Sequence, residues 1–505
     1  MNEFDLHRDR RAFIKSISAM ASLPLLGGVM QAANAAGPFD DYRALVVLFL
    51  YGGADNHNMI IPLGSDYAAY SRARSNLAIP QDNVIPITAG VSGRSFGMHP
   101  NLRALSAIFN NDRKLAFVNN VGVLVEPTTL AAFQQKSKLP PQLFSHSDMV
   151  NHTQTSRPDS PSDSGWGGRL ADLIESANGN AQVSTSISVS GQTIFQKGRK
   201  VRSYSLHEWT GADSVIVNRP RAYGYGDNWS AMRSNPQMAY EALLATAGTN
   251  LLEMQYKSMA KQAVNVGDFL NSVLYNVDTN GNPVRGANNS VTEKFPVGTA
   301  PPINFVDSRG LTITNKLASQ FKSAASLIAA RNAIGVKRQI FFVSLGGFDT
   351  HGDQFKDSNN ATTPILSGRH ADLLQQVDEA VSWFYNWTKS AGIANSVTLA
   401  TLSDFGRTLI SNGAGSDHGW GGHNFVLGGA VNGGKFYGGP EAGQEFPIVA
   451  LGTQDDVGQG RLLPTTSIDE YGATLAKWMG ASNSELTSVF PNLSRFPRQT
   501  GLGFL

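Results

Sequence analysis

The sequence predicts an α/β protein: a mostly parallel sheet sandwiched by helices. Two observations carry this. Five or six short apolar runs are near-continuous rather than alternating, the pattern of strands buried on both faces. Stretches of helical period separate them, and strand–helix alternation is the signature of a parallel sheet.

Taken in order, residues 7–15 read HRDRRAFIK, in which Arg10 and Arg11 precede a moderately apolar stretch from Ile14 to Val29. Ala33-Asn34-Ala35 then supplies a small-x-small cleavage site. This is the architecture of a twin-arginine signal peptide over 1–35, read by the Tat translocase. Its apolar run is too short and too glycine-rich to span a membrane comfortably. The mature chain, 36–505, is then periplasmic or secreted. The predicted strands are ALVVLFL (44–50), KLAFVNNV (114–121), STSISVS (184–190), QIFFVSL (339–345), SVTLATL (396–402) and NFVLGGAV (424–431). The predicted helices cover 99–113, 165–178, 314–334 and 368–392, with a long one near 237–275. That last helix sits, with a polar loop at 278–302, in a stretch of about 190–310 that reads as a cap inserted into a single domain. No internal repeat is visible.

Composition removes several classes of function. The chain has no cysteine, so disulfides, zinc–thiolate sites, iron–sulfur clusters and cysteine nucleophiles are excluded. A formal net charge of +2 over 505 residues gives no reason to expect a nucleic-acid partner. An exported oxidoreductase is opposed by the lack of a G-x-G-x-x-G after the first strand and of a haem attachment motif.

In open α/β sheets, functional groups gather where loops leave the carboxyl ends of the strands. Asp55 follows the first predicted strand behind two glycines, with Asn56 and His57 next. Asp349 and His351 follow the fourth, again behind two glycines. Asp404 follows the fifth, with Arg407 in the next turn, and GSDHGWGGHNF then offers Asp417, His418 and His423. Convergence of Asp55, Asp349, His351, Asp404, His418 and His423 would build a hydrolytic centre of one or two divalent ions. Mixed Asp and His suit zinc, manganese or iron, whereas Asp-rich sets suit calcium or magnesium. His99 falls at a helix start, and His370 on a helical pattern where a surface or core-edge place is the ordinary one.

The segments LFLYGGADNHNMIIPL, SHSDMVNHTQT…GWGGRL, VSLGGFDTHGDQ, LSDFGRT…GSDHGWGGHNFVLGGAV and SIDEYGATLAKWMG resemble the DUF1501 family. That family of exported bacterial proteins is similar to the alkaline phosphatase and sulfatase superfamily. The resemblance implies an alkaline-phosphatase-like fold in which Asp55, Asp349, His351 and Asp404 match metal-binding positions and His418 or His423 takes a late histidine role. Phe405 stands where the superfamily's Asp-His dyad places its histidine, a departure that bears on a second metal.

The same resemblance implies a hydroxyl nucleophile at a helix start after the second strand, where the helix dipole and free amides hold an anion. Ser145 and His146 match the family's Ser-His, with Ser147 the second choice for the nucleophile. Asp148 or His152 could add a ligand, and Arg157 could clamp an anionic oxygen. The formylglycine pattern of sulfatases is absent. The expectation is an exported metal-dependent hydrolase of phosphate or sulfate esters, with zinc, manganese or calcium and a small anionic ester or modified polymer as substrate. The alternative is an inactive relative serving as a periplasmic binding or envelope-assembly protein.

Overall fold

Residues 44–50 of the first strand are all buried, yet their side chains divide between two separate cores: Ala44, Val46, Leu48 and Leu50 on one side, Leu45, Val47 and Phe49 on the other. This is the pleat of a strand covered on both faces, and it confirms the expected α/β class. The computed structural model describes residues 41–89, 93–206, 242–246, 248, 250–279, 284, 291–441 and 444–505. The expected leader, and the start of the expected long helix at 237–241, lie outside the described residues, as does part of the 190–310 stretch. Residues Pro38–Leu505 cluster as one compact unit.

The main sheet contains β1 (Arg43–Leu50), β2 (Leu115–Gly122), β3 (Ser186–Ser188), β4 (Tyr204–Ser205), β5 (Arg338–Leu345), β6 (Val397–Ser403), β7 (Gly422–Gly428), β8 (Lys435–Gly438) and β9 (Thr466–Ser467). Its order is β8-β2-β7-β6-β1-β5-β3-β4, with β9 following β8 along the same edge of β2. All pairings are parallel except those of β7, which runs antiparallel to both β6 and β2. The reversal matters for function. The beginning of β7 lies at the rim where its neighbours β6 and β2 end.

The helices used below are α1 (Tyr67–Arg74), α2 (His146–Thr155), α3 (Trp166–Ile174), α4 (Leu251–Leu274), α5 (Lys316–Ala329), α6 (Arg369–Ser390) and α7 (Ile468–Met479). Helices α5 and α6 cover one face through Leu317, Phe321, Leu374 and Val377, and α3 and α7 cover the other through Trp166, Leu170, Tyr471 and Leu475. Two of them start on side-chain caps: Asn315 accepts the Ala318 amide ahead of α5, and Ser467 with Glu470 makes a capping box ahead of α7. The predicted helix 99–113 is a short α segment, Arg103–Ala107, closing in a π turn, Ile108–Asp112. Helix α4 packs through Val266, Leu270 and Leu274 against the α5–α6 core. Among the described residues no helix is long and apolar enough to cross a membrane.

Candidate metal centre

Four segments meet at the rim formed by the ends of β1, β5 and β6 and the start of β7. The loops after β1 and β5 are tied together, Tyr51 N–H donating to the Leu345 carbonyl at 2.9 Å and Phe348 N–H to the Tyr51 carbonyl at 3.1 Å. The glycines after β1 are required here. Gly52 has φ +112°, and a Cβ on it would stand 2.3 Å from the amide nitrogen of Asp349. The loop after β6 folds back on itself, pairing Arg407 with His418. The fourth contributor, the start of α2, comes from after β2.

These segments bring His146, Asp349 and His418 together, with one ligating atom from each within 4.8 Å of the others. His146 Nε2 lies 3.4 Å from Asp349 Oδ2, and His418 Nε2 3.5 Å from Asp349 Oδ1. Adjacent ligands of a tetrahedral zinc are about 3.3 Å apart when the metal–ligand bonds are about 2.0 Å. The other ring nitrogens are fixed. His146 Nδ1 bonds Asp404 Oδ2 at 2.7 Å, and His418 Nδ1 bonds the Phe144 carbonyl at 2.7 Å. A carbonyl only accepts, so His418 carries its proton on Nδ1, and Nε2 is left as a lone pair. Both imidazoles thus have the orientation that metal-bound histidines take from carboxylate or carbonyl partners. His146 Nε2 is itself buried and makes no hydrogen bond. The residues therefore fit a divalent ion. The three side chains remain about a third exposed, at 33, 37 and 29 %, so the cluster sits at the surface of the rim rather than in the core.

Arg407 supplies a fixed charge at the base. Its guanidinium is fully buried and donates to Asp349 Oδ1 at 2.8 Å, and to the carbonyls of Gly52, Gly53, Phe348 and Ser416. Burial raises the Asp349 pKa, but the hydrogen bonds from Arg407 and His351 outweigh it and hold this carboxyl well below the usual range. The Asp404 bond raises the His146 pKa against the effect of burial. Burial lowers that of His418. Phe405 lies against both imidazoles, its ring centroid 4.8 Å from each.

The remaining expected site residues fall elsewhere or take other parts. Asp404 is 3 % exposed and orients His146, its other oxygen accepting the Gly52 amide at 3.1 Å. His351 is on the rim and bonds Asp349 Oδ1 at 2.8 Å through Nδ1. Asp55 does not join the cluster. It is fully buried in an ion pair with Arg74 and accepts from Gln354 Nε2 at 2.5 Å. Burial opposes its ionisation, yet Arg74 and the neighbouring His370 and His57 hold its pKa at about 2. A chain of bonds links it to the centre at a distance: Gln354 accepts from Ser416 Oγ at 3.2 Å, and the Ser416 carbonyl from Arg407. His423 does not join either. It already lies within β7, where the pleat turns it to a sheet face, beside Phe446 and accepting the Asn120 amide at 3.2 Å.

Ser145 precedes α2 as its N-cap residue, but its hydroxyl donates to Asp148 Oδ2 at 2.6 Å instead of capping the helix. Ser147 bonds the same carboxylate at 3.3 Å. His152 bonds the Pro141 carbonyl at 3.2 Å. Arg157 lies past the far end of α2, eleven residues after His146. Ten helical residues span about 15 Å, so it cannot clamp a ligand at the helix start. Two contributors carried no sequence signal as site residues: Arg74, at the end of a surface helix, and the carbonyl of Phe144.

A family model described as "Protein of unknown function (DUF1501)" matches residues 42–446. Comparison with curated proteins finds no match. Among solved structures, the C-terminal periplasmic domain of EcEptC from Escherichia coli is 11 % identical, with 90 % of this chain and 88 % of that one covered and a TM-score of 0.33. Its complex with Zn gives 11 % identity, coverage of 78 % and 74 %, and a TM-score of 0.30. The phosphonate monoester hydrolase SpPMH from Silicibacter pomeroyi is 10 % identical, with coverage of 87 % and 74 % and a TM-score of 0.30.

Proposed function

The chain belongs to the DUF1501 family, and from its centre we propose an exported, single-metal hydrolase of small anionic esters, phosphate or sulfate. The observation that carries the reading is the pair of imidazoles whose Nδ1 atoms are anchored and whose Nε2 atoms both face Asp349. His146, Asp349 and His418 would hold the ion. Two imidazoles and one carboxylate suit zinc or manganese better than calcium, which takes six to eight oxygens. One ion is favoured over two, because Asp55 is committed to Arg74 and Phe405 fills the place a further ligand would need.

Such an ion supplies a Lewis acid that lowers the pKa of a coordinated hydroxyl. The chain's own residues do the rest. Ser145 is assigned as the attacking hydroxyl, one residue from His146, with its proton already directed to Asp148. That hydrogen bond holds the Asp148 pKa below the usual carboxylate range, so the carboxylate is ionised at neutral pH. The first amides of α2, including those of His146 and Ser147, point past the helix start and are placed to hold an ester oxygen. Export is supported by Arg10-Arg11 and Ala33-Asn34-Ala35, and lysines in place of both arginines should leave the protein in the cytoplasm.

The test is metal analysis of the folded protein with a panel of aryl phosphates, phosphodiesters and aryl sulfates. One equivalent of metal is expected, with turnover that is lost in His146→Ala and Ser145→Ala. Substoichiometric metal and no turnover of any ester would sink the reading. A second reading, an envelope protein that keeps the ion and binds an anionic polymer without cleaving it, is favoured by Phe405. It predicts a full metal equivalent, no turnover, and retention of the ester.

A further inference from the structure

The two imidazoles reach the centre on segments far apart in the chain, and one side chain touches both. Arg461 Nε donates to the carbonyl of His418 at 2.7 Å. Its guanidinium lies over the ring of Phe144, 5.3 Å from the centroid. Phe144 closes the circuit, its carbonyl accepting the His418 Nδ1 proton at 2.7 Å. Phe144 also stands two residues before His146, so its backbone direction sets where α2 begins. That backbone has φ +72°, a conformation a bulky residue keeps only where its surroundings hold it. Arg461 is itself anchored. Its loop is pinned by the Asp456–Leu462 bridge, and Nη1 donates to the Gly458 carbonyl at 3.2 Å.

We infer that Arg461 is a positioning residue for the metal centre: it clamps the His418 loop to the Phe144–His146 segment and keeps the Phe144 carbonyl where it holds His418 as the Nδ1–H tautomer. The inference rests on the single-metal reading. A purely structural role would stabilise the 456–462 loop and leave the imidazole geometry alone. The two are separated by measuring the site rather than the fold.

The experiment compares wild type with Arg461→Met, which removes the donor and the planar cation, and with Arg461→Lys, which keeps the charge without the planar stack. Zinc affinity is measured by competition with a chromophoric chelator. The His418 tautomer is read in metal-free protein by nitrogen–proton correlation NMR. Arg461→Met should weaken zinc binding about 10- to 100-fold, the usual effect of losing a group that orients a ligand. It should also turn the single His418 tautomer into a mixture, and Arg461→Lys should recover part of both. Wild-type zinc affinity and an unchanged tautomer in Arg461→Met would overturn the inference and leave the metal site standing. If Arg461→Met does not fold, Arg461→Lys decides, and affinity and tautomer equal to wild type would overturn it. Failure of the wild type to bind zinc at all would instead bring down the metal reading, and this inference with it.

Discussion

Asp55 and Asp349 follow adjacent parallel strands, each behind two glycines, and the molecule uses them in opposite ways. Asp55 is sealed from solvent and spent on Arg74. Its neighbours His57, His99 and His370, with His423 beyond them, are buried imidazoles whose rings carry nitrogens without hydrogen-bond partners. Asp349 is at the surface of the rim, where its second oxygen faces a nitrogen that is held but not consumed. The difference lies in what the Nδ1 atoms do. At the rim, carboxylate and carbonyl partners fix them and free Nε2. In the interior the rings are kept neutral by exclusion from water. Spacing from a strand does not separate a ligand from a structural ion pair; burial and the nearest cation do.

The contrast is broken most severely by acid. Burial lowers the pKa of His57 and His370 to about 4 and of His99 and His423 to about 3, from 6.5. The unfolded chain therefore binds more protons than the folded one below pH 6.5. Stability present at pH 7 should fall steadily as pH drops from about 6.5 toward 4. Urea midpoints measured from pH 7 to 5 check this, and a flat profile would contradict it. His146 carries the opposite shift, so acid should also displace metal from the rim.

Next in size is the pair Asp55→Asn and Asp349→Asn. The first strands the buried Arg74 charge and should cost about 3–5 kcal/mol in urea unfolding, with the metal ligands intact. The second takes one half-exposed carboxylate from a buried Arg407 that keeps four carbonyl partners, so it should cost less, about 1.5–3 kcal/mol, while abolishing stoichiometric zinc. Equal stability losses would erase the distinction drawn above. Asp404→Asn sharpens it further: fold and ligands remain, and zinc affinity should fall about 10- to 100-fold because His146 loses the carboxylate that orients it. The smallest effect is expected from Phe405→His. It puts an imidazole in place of the ring that lies against His146 and His418, yet metal analysis should still find one ion, because Asp55 stays paired with Arg74. Two equivalents would show that the ion pair yields.

The sheet was legible because short β-prone apolar runs alternate with stretches of helical period, and the predicted runs coincide with β1, β2, β5 and β6 to within a residue or two. The rim was legible as a place, since post-strand loops must leave from one end. The assignment of parts was not. Periodicity carries no strand direction, so nothing in NFVLGGAV said that it runs backwards and turns His423 into a sheet face. Asp55 looks like a ligand until Arg74 is seen beside it. The His418 tautomer is set by a backbone carbonyl 274 residues away, a group every residue possesses and no composition reveals.

The pairing of β1 with β6 has a consequence in time. The Ser403 hydroxyl that donates to the carbonyl of Leu50 is separated from it by 353 residues. At about 5–20 residues per second, a ribosome needs roughly 20–70 s to cross that distance. Until Leu345 is made β1 lacks both of its neighbours, and until Ser403 it lacks one; His418 comes later still. An ion held by His146, Asp349 and His418 would therefore have to be loaded after most of the polypeptide is made, and metal content would report on complete or nearly complete chains.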